Sequence, residues 1–178
     1  MLRRTYIRLF AGAMALWRGR AVSAATLDRP QLQALAEAVL PESLGPGAIA
    51  KIAQGFDEWV AGYRPGAEME HGYGITRMAA KPASPLATYR SQLAGFGAGF
   101  GQLPITARRQ AVSEALTAAN LTALPTAPAG QHVAADLMAF WFRSAEATDV
   151  CYQRAIRRYD CRGFRTASQA PAPLPGAR

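Results

Sequence analysis

Glu68 and Glu70 flank Met69 and run directly into His71, so four consecutive positions hold two carboxylates and an imidazole. Such a set could do general acid–base work, one group accepting a proton while another donates it. The surrounding residues argue otherwise. Pro65-Gly66, Gly72 and Gly74 make this a turn-rich connection, in which acidic side chains are solvated, so no catalytic residue is assigned here. The second histidine, His132, is 61 positions further on. Neither histidine has a Cys, Asp or Glu at a spacing that makes a recognisable metal site. The chain has no Cys-x-x-Cys-His for haem, no Gly-x-Gly-x-x-Gly for a dinucleotide and no Gly-x-Ser-x-Gly nucleophile turn. No metal-ligating or cofactor-binding residue is assigned either.

Cys151 and Cys161 are the remaining reactive pair. An even cysteine count in an exported chain points to a disulfide, and a redox-active pair would call for the closer Cys-x-x-Cys spacing. One straight helix through both would hold their Cα atoms about 15 Å apart, against a bridging limit of about 7 Å. A bridge therefore requires the helix to end between them, and closing so short a loop would contribute roughly 3 kcal/mol.

Export is suggested by the N-terminus. Arg3 and Arg4 open Leu-Arg-Arg-Thr-Tyr-Ile-Arg, the apolar run Leu9 to Trp17 follows, and Ala21-Val-Ser-Ala-Ala25 supplies small residues for cleavage after Ala24. This reads as a twin-arginine signal addressed to the twin-arginine translocase. The apolar run is too short to span a bilayer, which needs about 20 residues, and Arg18 and Arg20 beside the cleavage point disfavour the general secretory route. The other reading is a retained basic amphipathic helix. The formal charge of +8 changes meaning accordingly. Five arginines precede the cleavage point, and without them 15 basic residues face 12 acidic ones, a net of +3. That excess supports no nucleic-acid partner. A local cluster stays: Arg154, Arg157, Arg158, Arg162 and Arg165, a solvated face or a contact for an acidic partner.

Beyond the signal, the apolar residues recur at helical spacing. Asp28 and Pro30 start a first helix carrying Leu32, Leu35, Val39 and Leu40, which Pro41 ends. Ile49, Ile52, Ala53, Phe56, Trp59, Val60 and Tyr63 form a second, with Lys51, Gln54, Asp57 and Glu58 opposite. Residues 64–85 are a long connection. Ser84-Pro85 starts a third helix with Leu86, Tyr89 and Leu93, expected to fray near Phe96 because Gly95, Gly97, Gly99 and Gly101 follow. Thr106 is placed as the cap of a fourth bearing Ala111, Val112, Ala115 and Leu116, and Pro125 to Gly130 is a loop. A last strong segment runs from Gln131 to Arg143. Its Phe140, Trp141 and Phe142 fan across about 200° of a helix, so either that helix is central or one ring faces a partner. Strand-type alternation is absent, which predicts an all-α domain with long loops: a signal over 1–24, one helical domain over 25–165 and an extended Pro-rich tail over 166–178.

Several strings resemble the gluconate 2-dehydrogenase subunit 3 family: Phe56-Asp-Glu-Trp-Val-Ala-Gly-Tyr63, Pro65-Gly-Ala-Glu68, His71-Gly-Tyr-Gly74, His132-Val-Ala-Ala-Asp-Leu-Met-Ala-Phe140, Ser144-Ala-Glu-Ala-Thr-Asp-Val-Cys-Tyr152 and Ala155-Ile-Arg-Arg-Tyr-Asp-Cys-Arg-Gly163. The resemblance implies a small noncatalytic subunit of a membrane-associated sugar, sugar-acid or polyol dehydrogenase. The large partner would be a flavoprotein of the glucose-methanol-choline type that holds FAD, and a multihaem cytochrome c with haem c often accompanies it. In this family the large subunit commonly lacks an export signal and travels folded with the small one, which implies a periplasmic, membrane-associated complex.

An accessory role needs a partner interface, and interfaces centre on aromatic and arginine anchors. By residue type the candidates are Trp59, Tyr63, Phe140, Trp141, Phe142, Arg154, Arg157, Arg158 and Arg162. Two other classes stand beside this one: a stand-alone enzyme using Glu68, Glu70 and His71, and a stand-alone helical periplasmic binding module.

Overall fold

The computed structural model describes residues 26–67, 80–156 and 169–175. The domain is all-α, with six α-helices and no strand among the described residues. Asp28 starts α1 (Arg29–Val39) by accepting a hydrogen bond from the Gln31 N–H at 3.0 Å, and Pro30 occupies the first turn. There a missing N–H costs nothing. A short 3₁₀ turn (Glu42–Leu44) and Gly45, at φ +76°, lead into α2 (Pro46–Ala61). Then follow α3 (Leu86–Gly95), a second 3₁₀ turn (Phe100–Gln102), α4 (Ile105–Ala118), α5 (Val133–Phe142) and α6 (Ala145–Tyr152).

α5 is the centre of the domain: it touches every other helix. Val133, Ala134, Ala135, Asp136, Leu137, Ala139 and Trp141 are all buried along its ten residues, which is why no single apolar stripe can be drawn on it. α1 packs on α2, α4 and α5 through Leu32, Leu35 and Ala36. Phe56 of α2 is fully buried against Tyr89 of α3 and Phe140 of α5, each ring centroid 5.6 Å away. Burying a side chain of that size contributes about 2–3 kcal/mol. α4 is tied to the C-terminal end of α1 by two arginines. Arg108 donates to the Ala34 carbonyl and to Glu37 at 2.8 Å, while Arg109 donates to the Ala38 carbonyl and to Glu42 at 2.7 Å. Arg109 places a cation where the last α1 carbonyls lack helical partners, while Arg108 adds a second donor to a carbonyl inside the helix.

The third helix ends at Gly95, one residue before the expected fraying point. Its cap differs from expectation: Pro85 occupies the N-cap position, with the Ser84 hydroxyl 3.4 Å from the Leu86 N–H. Likewise α4 begins at Ile105 behind Pro104, so Thr106 sits inside the helix and caps nothing. Proline sets an extended residue ahead of a helix without needing a side-chain acceptor. α6 is a further helix, capped by Ser144, whose hydroxyl accepts from the Ala147 N–H at 3.1 Å. It ends where Gln153 turns left-handed at φ +52°.

The chain after α6 is engaged by the tail: Ala155 donates to the Ala172 carbonyl at 2.8 Å, and Leu174 to the Gln153 carbonyl at 3.1 Å. The expected Cys151–Cys161 disulfide is not formed. Cys151 is an exposed free thiol in the last turn of α6, and Cys161 lies outside the described residues. The helix does end between the two cysteines, as a bridge would need, but residues 153–155 leave it paired with 172–174. No helix among the described residues is long and apolar enough to cross a membrane.

Candidate partner-binding groove

Three of the aromatic candidates converge. Trp59, in the last turn of α2, and Tyr63, just beyond that helix, meet edge-on with centroids 5.6 Å apart, and Phe140 of α5 lies 6.4 Å from Trp59. Each is half-buried. Together with Lys81, Pro82, Arg143 and residues 126–129 they line an open groove of about 500 Å³, within the size range of ligand sites.

The groove has two built walls. On one side the ends of the long connection are closed by Gly66 donating to the Lys81 carbonyl at 2.9 Å and Lys81 donating to the Ala67 carbonyl at 2.7 Å. That pairing sets the Lys81 ammonium 5.9 Å from the centre of the Tyr63 ring, a cation–π contact. On the other side the 126–129 loop is fixed from beneath. Asp136, fully buried in α5, accepts from the Ala129 N–H at 2.9 Å and from the Tyr89 hydroxyl at 2.7 Å. Burial, then the hydrogen bond to Asp136 and its charge, raise the Tyr89 hydroxyl far above the ordinary tyrosine range, so it stays a donor. Gly130 completes the loop at φ +81°, and a Cβ there would stand 3.4 Å from Pro85. The left-handed backbone, and not the space, is what favours glycine there.

The other buried ionisable groups hold the fold in the same manner. Asp57 accepts from the Leu27 N–H at 2.8 Å and lies 3.4 Å from the exposed Arg29, anchoring the residues ahead of α1 onto α2. His132 is the N-cap of α5, its Nδ1 accepting from the Ala134 N–H at 3.2 Å. Burial lowers its pKa, opposed by the charge of Asp136. An imidazole that accepts at Nδ1 and resists protonation acts here as a cap. Its i, i+4 spacing to Asp136, joined to Tyr89, is the signal in the sequence for a structural polar network, and a search for metal motifs passes over it. Among the described residues no group of three or more His, Cys, Asp and Glu side chains is placed to hold a metal ion.

The remaining candidates separate. Trp141 is buried in the core with its indole Nε1 unpartnered, beside Phe142 at 4.7 Å. Phe142 is half exposed and Arg154 is exposed, its backbone bridged to Pro173; neither lines the groove. Arg157, Arg158, Arg162, Arg165, the Glu68, Glu70 and His71 set, and the signal residues Arg3 and Arg4 lie outside the described residues. Residue type does not pick out Lys81, Arg143 or the 126–129 loop, because the chain brings them to Trp59 only through the fold. Comparison with family models, with curated proteins and with solved structures finds no match. The groove stands on its own chemistry.

Proposed function

We propose that this chain is a noncatalytic accessory subunit that stabilises and co-exports a periplasmic FAD-dependent dehydrogenase acting on a sugar, sugar acid or polyol. The observation that carries the reading is the convergence of Trp59, Tyr63 and Phe140 in one open groove edged by Lys81 and Arg143. Aromatic rings around a recess with cations at its margin are the anchors on which protein interfaces concentrate their binding energy. The buried carboxylates and His132 are engaged in holding helices and loops together, which suits a binding module better than an acid–base centre. The twin-arginine motif at Arg3 and Arg4 and the resemblance to subunit 3 of gluconate 2-dehydrogenase support the choice of an FAD-bearing partner, which in that family a multihaem cytochrome c often accompanies.

The test is purification of the tagged chain from periplasm, followed by flavin absorbance of the eluate. A yellow complex with sugar- or polyol-dependent dye reduction is the expected result, and replacing Arg3 and Arg4 by Lys should strand the flavoprotein in the cytoplasm. A colourless, monodisperse eluate would replace this reading with that of a stand-alone binding module.

A further inference from the structure

A second recess lies between α3 and α4. It is an open cleft of about 680 Å³ walled by Gly95, Ala111, Ala115, Ala118 and Ala119, with the Phe96 ring beside them. Small side chains make space but select nothing, and the selective group is at the base. His132 lines the cleft with only 4% of its surface exposed, whereas Glu114, Ala118 and Ala119 on the wall are exposed. Its Nδ1 accepts from the Ala134 N–H, so in the neutral ring the proton sits on Nε2. Nε2 has no hydrogen-bond partner among the described residues, and a buried donor left so calls for one. The imidazole is held in place from α3: Gln92 donates to the Gln131 carbonyl at 3.0 Å and accepts from the Val133 N–H at 2.8 Å, bracketing His132 on both sides. Phe96 is held as well, stacked on buried Phe100 with centroids 4.7 Å apart.

We propose that this cleft binds an uncharged, largely apolar small molecule through a carbonyl oxygen that accepts a hydrogen bond from His132 Nε2. The methyl and ring surfaces of the walls favour an apolar body. A carbonyl oxygen only accepts, so it leaves no proton of its own to be matched at the base, as a hydroxyl would. Burial lowers the His132 pKa against the charge of Asp136, which keeps the donor a neutral imidazole that demands no counter-charge from the ligand. The Glu114 carboxylate on the wall disfavours an anion. Because the donor and the Phe96 ring are already positioned, binding orders little of the protein. The inference is independent of the accessory role and shares no residue with the groove at Trp59.

The test is a magnetic-resonance titration of the full chain carrying nitrogen-labelled histidine. Acetophenone is the probe, and ethylbenzene, of the same shape without the oxygen, is its control. The sequence has two histidines, so two sets of ring signals are followed, and that of His132 is the one lost in His132→Asn. Acetophenone should shift the His132 Nε2 signal to saturation and leave that of His71 in place, with ethylbenzene binding about fivefold more weakly for want of the hydrogen bond. Ala118→Trp changes an exposed wall residue and touches neither the core nor His132, so the fold is expected to survive, as circular dichroism would verify. The indole should cover the cleft and lower acetophenone affinity by about tenfold. No shift at His132, equal affinity for ethylbenzene, or undiminished binding by folded Ala118→Trp would each overturn the proposal.

Discussion

The two halves of α5 are built on different terms. From His132 to Leu137 the helix is buried, and its polar groups are matched: His132 caps, and Asp136 holds both Tyr89 and Ala129. From Phe140 to Arg143 the same helix carries rings that divide among three environments, Phe140 in the groove, Trp141 in the core and Phe142 half in solvent. One half sets the position of the fold and the loop, and the other presents surface. The lesson is that aromatic residues adjacent in sequence need not act together, whereas Phe140 and Trp59, 81 positions apart, do.

The contrast between the halves is broken most severely at Asp136. Asp136→Leu leaves the Tyr89 hydroxyl and the Ala129 N–H unpaired and should lower stability by about 3 kcal/mol in denaturant titration, with Tyr89→Phe costing only about 1 kcal/mol. An unchanged midpoint for Asp136→Leu would mean the buried half of the helix is not held by this network. Trp59→Ala acts on the other half: partner affinity should fall by about 2 kcal/mol in copurification or surface binding, more than stability falls. His132 sharpens the contrast through pH. Its folded pKa is lowered from the ordinary 6.5, so the unfolded chain takes up the proton first. Stability from this site is therefore present at neutral pH and declines as pH drops through 6.5 towards the lower folded value. His132→Asn, which retains a capping acceptor, should flatten that decline in melts recorded between neutral and mildly acidic pH. The smallest effect belongs to Phe142→Ser, expected within about 0.5 kcal/mol of the parent because half of that ring is already in water.

Much of the architecture is written locally. Asp28 with Pro30, the Ile49 to Tyr63 spacing and the glycines after Gly95 each state their element within a few residues, and the structure follows them closely. The starts of α3 and α4 are less direct: Ser84 and Thr106 have the side chains of caps, but the adjacent prolines set the boundaries. α6 escapes a search for periodicity because eight residues with Ala147 alone fully buried carry almost no apolar period. The groove is half legible. Residue type picks out Trp59, Tyr63 and Phe140, but Lys81 and the 126–129 loop reach them through the Lys81–Ala67 pairing and the Ala129–Asp136 bond, neither of which has a sequence signature. Cys151 is a free thiol, and cysteine spacing likewise gives no sign of the tail segment that engages residues 153–155.

The bond from Ala129 to Asp136 has a consequence for time as well as place. A wall held from beneath, with Gly130 already in its left-handed turn, need not rearrange before a partner can dock. Association should then be set by diffusion and orientation, rising linearly with partner concentration, with no plateau from a gating step. Discrimination between partners would appear in how long each one stays.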